Sequence, residues 1–207
     1  MSDFFTVSHP LIDHSLTILR DKNTQTEEFR KHAGIVSKIL LVDVMKNLKL
    51  SDVQIETPLT AMSGKKISEE LVIVPVLRAG LAMLFAVQDF LPFVPVGFIG
   101  LERDETTAVA REYYQKMPQI YSTHHVIVLD PMLATGGSFD DTVTALKAKG
   151  AKQVTVVCIV SAQEGIDRIR EKHPDVTIYT AAVDERLNEK KYIVPGLGDF
   201  GDRYFGT

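Results

Sequence analysis

An aspartate at the tip of an apolar run, followed by a turn almost bare of side chains, can bind a sugar phosphate. In HHVIVLDPMLATGGSFDD, His124 to Asp141, the run ends at Asp130, and Thr135, Gly136, Gly137 and Ser138 lead into a predicted helix. Ligands of open parallel sheets bind beyond the carboxyl ends of the strands, so Asp130 is expected to face that crevice. The glycines let backbone N–H groups approach an anion closely, the hydroxyls add donors, and a helix N-terminus is positive. A bare T-G-G-S serves equally well as a plain tight connection. The chain contains no G-x-x-x-x-G-K-[ST], and no G-x-G-x-x-G follows a strand. P-loop and dinucleotide chemistry are therefore not expected. With an acid leading the turn in place of a lysine, the natural ligand is a sugar phosphate whose ribose hydroxyls donate to Asp130.

Three further stretches carry groups with chemistry. LRAG follows the apolar run LVIVPV, Leu71 to Val76, and puts Arg78 in a second strand-end loop. A charge in so apolar a setting needs an anion, either a ligand or an internal ion-pair partner. ERDETTAVAREYYQKMP, Glu102 to Pro118, mixes charges and threonines between apolar strands and reads as a solvated excursion. YIVPGLGDFGDR, Tyr192 to Arg203, places Gly196, Gly198 and Gly201 around Pro195, with acids at Asp199 and Asp202. Glycine at that density suits a loop whose backbone meets a planar ligand, and equally an ordered loop held by turns. His9, His14, His32, His124, His125 and His173 lack metal-ligand spacing, so no side chain is assigned to a metal. Tyr113 and Tyr114 read as packing residues or as contacts of the solvated excursion, with no catalytic case.

Positioning these groups requires a sheet. LVIVPV, VPVGFIG, HVIVL, QVTVVCIV and DVTIYTAAV are apolar runs of strand length. Between them GLAMLFAVQDF, FDDTVTALKAKG and QEGIDRIREKHP read as helices, the second closed by Gly150 and the third by Pro174. Continuous apolar strands alternating with helices predict a parallel sheet covered on both faces. Residues 1–50 read as a helical arm: HPLIDHSLTILR is one helix, and a second carries the stripe Phe29, Ala33, Val36, Leu40 and Val44. Thr24 and Glu27 have capping-box spacing ahead of that stripe. The prediction is one α/β domain over 1–207, with an irregular C-terminal region over 184–207.

The 207 residues suffice for one sizeable core, and 45% apolar with 24% charged residues is ordinary for a globular protein. A net charge of −4, without an Arg/Lys-rich aromatic stripe, does not point to nucleic acid. MSDFFTVSHP lacks the pattern of a secretory signal. Gln88, Asp89, Pro92 and Pro95 break up the most membrane-like segment, so neither export nor membrane insertion is expected. Cys158 stands alone in an apolar run, which excludes an intrachain disulfide and fits a reducing cytoplasm.

VIVLDPMLATGGS resembles the loop by which phosphoribosyltransferases bind the 5-phosphate and ribose of phosphoribosyl diphosphate. Most such enzymes carry two adjacent acids there. Pro131 takes the second place in this chain, the form seen in uracil phosphoribosyltransferases. VPVLRAG, LERDETT with YYQKMP, and YIVPGLGDFGDRYFGT extend the likeness over essentially the whole chain. The resemblance implies a phosphoribosyltransferase-type fold and transfer of phosphoribose to uracil, giving uridine monophosphate and diphosphate. It implies that Asp130, Pro131, Met132, Leu133, Ala134, Thr135, Gly136, Gly137 and Ser138 hold the phosphoribosyl group. Arg78 and Arg103, the latter on a hood, would contact the diphosphate. Residues 184–207 would form the uracil-binding region, in which Ile193, Gly198, Asp199 and Phe200 would hold uracil, with Asp199 also near the phosphoribosyl substrate. Asp199, Arg78 and Asp130 are the groups assigned to the chemistry. Position 200 is commonly alanine in the family, so Phe200 is a departure that puts base affinity in question. Magnesium bound mainly through the diphosphate, a homodimer or larger homo-oligomer, and GTP as an effector of some relatives complete the implication. Two rival readings are an RNA-binding regulator on the same fold and a phosphoribosyltransferase for another base.

Overall fold

The computed structural model describes residues 3–103 and 110–207, the side chains of 102, 103 and 110–112 excepted. From the N-terminus the elements are β1 (Phe4–Thr6), α1 (Pro10–Arg20), α2 (Thr26–Val44), a 3-10 turn (Met45–Asn47), β2 (Leu50–Glu56) and β3 (Ala61–Ile67). Then come β4 (Leu71–Leu77), α3 (Gly80–Gln88), β5 (Phe98–Arg103), β6 (Ala110–Lys116), β7 (His125–Leu129), β8 (Met132–Leu133) and α4 (Gly137–Ala148). The chain continues through β9 (Gln153–Ala162), α5 (Gln163–Lys172), β10 (Thr177–Asp184), β11 (Arg186–Leu187), β12 (Ile193–Val194) and α6 (Phe200–Phe205).

The main sheet runs β1-β10-β9-β7-β4-β5-β6, with the short β8 also on β9. All its pairings are parallel except β5 with β6. The apolar runs are continuous because successive residues feed opposite faces. Leu71 and Ile73 enter the core under α1, α2 and α3, while Val72 and Val74 enter the core under α4 and α5. Phe29, Leu40 and Met83 fill the first core, and Phe139, Val143 and Ile169 the second. Adjacent β4 and β7 lead onward in opposite directions, β4 to β5 and β7 to β9. The crevice beyond Leu77 and Leu129 is therefore the switch point of the sheet.

Four expectations are corrected. The N-terminal arm is not helical throughout, because Phe4–Thr6 pairs parallel with β10 at the sheet edge. Three residues are too few for any period, and only the neighbouring strand makes them a strand. The capping box does not form. Gln25 occupies the cap position of α2 without a side-chain bond, and the Thr24 hydroxyl donates to the Ile18 carbonyl at 2.6 Å, closing α1 instead. Residues 50–67, to which the sequence reading gave no element, form the antiparallel hairpin β2–β3 apart from the main sheet. Nearly every position of it is exposed, so no buried face imposes a pattern. The excursion after Leu101 has paired arms, from Phe98↔Lys116 to Arg103↔Ala110, with β6 as a charged edge strand. Residues 104–109, the centre of the expected hood, lie outside the described residues.

Candidate active site

Asp130 leaves β7 with its N–H donated to the Val157 carbonyl at 3.2 Å, and its Oδ1 accepts from the Met132 N–H at 3.2 Å. β8 then runs beside β9 before the chain turns into α4. The two glycines of the turn differ in kind. Gly136 has φ 77°, and a Cβ there would stand 3.0 Å from the Gly165 carbonyl oxygen. A Cβ on Gly137 would meet only the Thr135 hydroxyl at 3.6 Å and Arg168 Nη1 at 3.8 Å, ordinary contacts. Gly136 is needed by the backbone, whereas Gly137 leaves room beside Thr135. A buried Asp140 fixes α4 to α5 behind the turn. It accepts from Arg168 Nε and Nη2 at 3.1 and 2.8 Å, from Lys172 at 2.7 Å, and bonds His173 at 3.0 Å. Burial pushes the Asp140 carboxyl up, but the bonds from Lys172, Arg168 and His173 together hold it below the usual range.

Arg78 follows β4, and its placement corrects the expectation of a charge enclosed by apolar groups. The strand is buried through Val76, but the Arg78 side chain is 61% exposed and pairs with Asp202 on α6 at 3.5 Å. The guanidinium has left the core by the end of the strand. A Cβ on Gly80 would stand 2.3 Å from the Leu129 carbonyl oxygen. That close approach sets the start of α3 against the end of β7, so the Arg78 and Asp130 loops open into one space.

The C-terminal loop is held from a distance. Arg20 on α1 forks onto Asp184 with two bonds of 2.7 Å and also donates to the Gly196 carbonyl at 2.8 Å. Asp184, 5% exposed, accepts the Gly196 N–H at 2.8 Å. Arg203 donates to the carbonyls of Leu19, Leu197 and Asp21 and lies over the Phe29 ring at 4.4 Å. Asp199 caps α6 by accepting the Asp202 N–H at 3.0 Å. Phe200 is buried, edge-on to Phe29 at 5.1 Å and stacked on Tyr204 at 5.9 Å. Its large side chain is thus a core anchor behind the loop.

These loops share a cavity of about 1050 Å³. It gathers Arg78, Asp130, Met132, Ala134 and Thr135–Ser138 with Ile193, Gly198, Asp199 and Phe200. Pro131 and Leu133 do not line it. The Pro131 carbonyl accepts the N–H groups of Ile159 and Val160 at 2.9 and 3.0 Å, and Leu133 is in the core, so both hold the turn to β9. Arg103 ends β5, and its side chain is outside the described residues. Sequence reasoning gave Lys190, Lys191 and Tyr192 no role beyond their place in the C-terminal region and left Tyr113 between packing and hood contact, yet all four line the cavity. Gly100 was the available signal for Tyr113, because a Cβ there would lie 2.5 Å from the Tyr113 ring.

The uracil phosphoribosyltransferase family profile matches residues 6–207. The chain belongs to that family. A uracil phosphoribosyltransferase from Dictyoglomus thermophilum is 53% identical over 202 residues, covering 97% of this chain and 98% of the relative. The solved structure of AQ2163 protein from Aquifex aeolicus superposes with a TM-score of 0.93 at 36% identity, covering 99% of this chain and 98% of that one. Adenine phosphoribosyl transferase from Trypanosoma brucei shares the fold with a TM-score of 0.60 at 17% identity, over 92% of this chain and 88% of that one. The phosphoribosyltransferase-type α/β fold expected from the resemblance is the fold observed. Membership of the uracil phosphoribosyltransferase family over nearly the full length disfavours the RNA-binding regulator.

Proposed function

We propose that the protein joins uracil to 5-phospho-α-D-ribose 1-diphosphate, giving uridine monophosphate and diphosphate, as a pentosyltransferase of pyrimidine salvage. The observation that carries this reading is one cavity shared by an acid-led bare turn, an arginine loop and a backbone-rich loop. The turn from Ala134 to Ser138 receives the 5-phosphate on N–H and hydroxyl donors at the start of α4. Asp130 accepts from ribose hydroxyls, and Arg78 turns from Asp202 to the diphosphate. Backbone groups around Ile193 and Gly198 meet the uracil edge. A uracil ring nitrogen attacks the anomeric carbon with inversion, and the new C–N bond forms as the C–O bond to diphosphate breaks. Asp199 is assigned to receive the proton that the ring nitrogen loses. Holding both substrates in one place supplies much of the acceleration.

Among the described residues no three His, Cys, Asp or Glu side chains gather as a metal site. Asp130 and Asp199 at the wall are a donor set that fits magnesium held mainly by substrate oxygens. When bound, the ion neutralises charge on the leaving diphosphate. Family membership also supports a homodimer or larger assembly. Leu50, Ile55, Met62 and Ile67 on the hairpin are 40–53% exposed, and Leu59 at its tip is 95% exposed. A second copy would cover such a surface. No helix among the described residues is long and apolar enough to cross a membrane. The reading places the protein in the cytoplasm and keeps GTP as an effector to be tested.

Diphosphate release, measured with each nucleobase in turn, tests the reaction. Uracil should support turnover, magnesium should be required, and cytosine, hypoxanthine and guanine should be poor substrates. Comparable turnover on hypoxanthine or guanine would overturn the assignment. The same assay with and without GTP tests the effector, and sedimentation tests the assembly.

A further inference from the structure

Among the described residues, the cavity wall carries two carboxylates, Asp130 and Asp199, and on the strand-end loops one cation, Arg78. Counting these described side chains alone, a substrate bearing a 5-phosphate and a diphosphate would meet a balance of one negative charge. Lys190 and Lys191 change that balance to three positive charges against two negative. Both lie in the loop between β11 and β12, both are exposed, and among the described residues neither ammonium has a hydrogen-bond or ion-pair partner.

The backbone that presents them is unusual. Lys191 has φ 64° and is the only left-handed non-glycine among the described residues. A Cβ makes that conformation costly, and lysine lacks the short polar side chain by which asparagine tolerates it. The surrounding structure holds it from both sides. Asn188 Oδ1 accepts the N–H groups of Lys190 and Tyr192 at 3.0 and 2.9 Å. The Asn188 carbonyl accepts the Lys191 N–H at 2.9 Å, and the Tyr192 carbonyl accepts the Asn188 N–H at 2.8 Å. The next residue, Ile193, is buried and fixes the loop to the core. These bonds close a hairpin turn whose last residue is left-handed, and that residue is a lysine at the wall of the cavity, so the turn fixes where its side chain starts.

We propose that Lys191, supported by Lys190, contacts phosphate oxygens of phosphoribosyl diphosphate and is a binding residue for that substrate. The inference rests on the phosphoribosyl-transfer reading above. Lysine suits the task because a compact ammonium on a flexible stem reaches phosphate from an exposed loop without fixed geometry. It also predicts an opposition between stability and binding at one residue. Glycine at 191 would relax the backbone and remove the charge together.

Three variants test this, each assayed by initial rates and by calorimetric titration with phosphoribosyl diphosphate alone. Lys191→Gly and Lys191→Asn should raise KM and Kd for phosphoribosyl diphosphate by about five- to tenfold, the scale of one charge-assisted contact. Their kcat and their KM for uracil should stay within about twofold of the parent, and binding should depend less steeply on salt. Lys191→Arg keeps the charge and should stay near the parent. Lys191→Gly should melt at or above the parent temperature. Lys191→Asn tolerates the left-handed backbone and so separates charge from conformation. Unchanged phosphoribosyl diphosphate binding in both neutral variants overturns the inference. So does an equal loss for uracil and phosphoribosyl diphosphate, because that would make the lysine a support for the loop. A parent that forms no uridine monophosphate sinks the parent reading, whereas an active parent with unaffected variants sinks this inference alone.

Discussion

The two halves of the cavity are built in opposite ways. The half proposed for the phosphate is local: Asp130, the bare turn and the first turn of α4 lie within about a dozen residues, and the sheet positions them. The half proposed for the base is assembled from afar. Its loop is held by Arg20 through Asp184 and Gly196, and by Arg203 through Leu19, Leu197 and Asp21. A backbone cradle at the end of a parallel strand needs little more than small residues and a helix start. A loop proposed to meet a planar base with backbone groups has no such frame, so Arg20 of the helical arm and Arg203 of α6 tie it to that arm. Damage to the first half should therefore appear in ligand binding, and damage to the second in stability and base affinity together.

The largest expected effect breaks the second half. Asp184→Ala leaves Arg20 and the Gly196 N–H without their partner and should cost about 3–4 kcal/mol of stability. The KM for uracil should rise more than that for phosphoribosyl diphosphate. Chemical denaturation beside initial-rate kinetics checks both, and an equal rise in the two KM values would dissolve the distinction between the halves.

Gly137→Val strikes the first half. The free protein has ordinary room for a Cβ there, so the fold should survive, while the branch crowds the space beside the Thr135 hydroxyl. Binding of phosphoribosyl diphosphate and uridine monophosphate should fall at least about a hundredfold, near 3 kcal/mol. Weak binding of free uracil should suffer less. Gly136→Val is the contrasting control, because φ 77° and the nearby Gly165 carbonyl should make it unfold more easily. A folded Gly137→Val protein that binds uridine monophosphate like its parent would show that the turn is not the phosphate site.

Asp140 sharpens the comparison through pH. Its folded carboxyl titrates below its ordinary value of 3.8, so its contribution is complete above that value and fades as pH falls through the folded pKa. Asp140→Asn should lose about 2–3 kcal/mol near pH 7. The gap between parent and variant should narrow as the pH is taken below about 4. Melting curves across that range check it, and a gap constant with pH would separate the cluster from the carboxylate charge.

The smallest expected effect belongs to Arg78→Ala. The side chain is exposed and its link to Asp202 is long, so stability should hardly change. Phosphoribosyl diphosphate affinity should drop about tenfold, one charge-assisted contact. Calorimetry with a parallel melt decides, and a lower melting temperature with unchanged affinity would make Arg78 structural.

What the sequence made legible follows the same division. The buried strands, the covering helices and the Asp130 turn were readable because each is a local pattern of apolar runs, small residues and helix starts. The clamps on the C-terminal loop were not. Nothing in Arg20 or Arg203 as residues says that one reaches Asp184 and the other Leu197 and Leu19. Phe200 read as a departure in a base-binding loop, yet burial against Phe29 gives it a packing role that only the fold could show. Lys190 and Lys191 carried no signal of their own in the sequence, and it is the β11–β12 hairpin that places them at the cavity. Thr24 had cap spacing, but its hydroxyl had a nearer carbonyl at Ile18. Cys158 was legible as a core thiol, and complete burial pushes it up to about 12.

The clamps also impose an order on biosynthesis. Translation delivers α1 and α2 first, whereas their partners Asp184 and Arg203 follow Arg20 and Leu19 by 164 and 184 residues. Until then the apolar faces of Leu19 and Phe29 wait without Phe200 and its neighbours. The turn from Asp130 into α4 is made before either clamp partner, and its own supports on β9 and α5 follow it directly. The frame of the C-terminal loop is therefore complete only once α1, β10 and α6 have all been made.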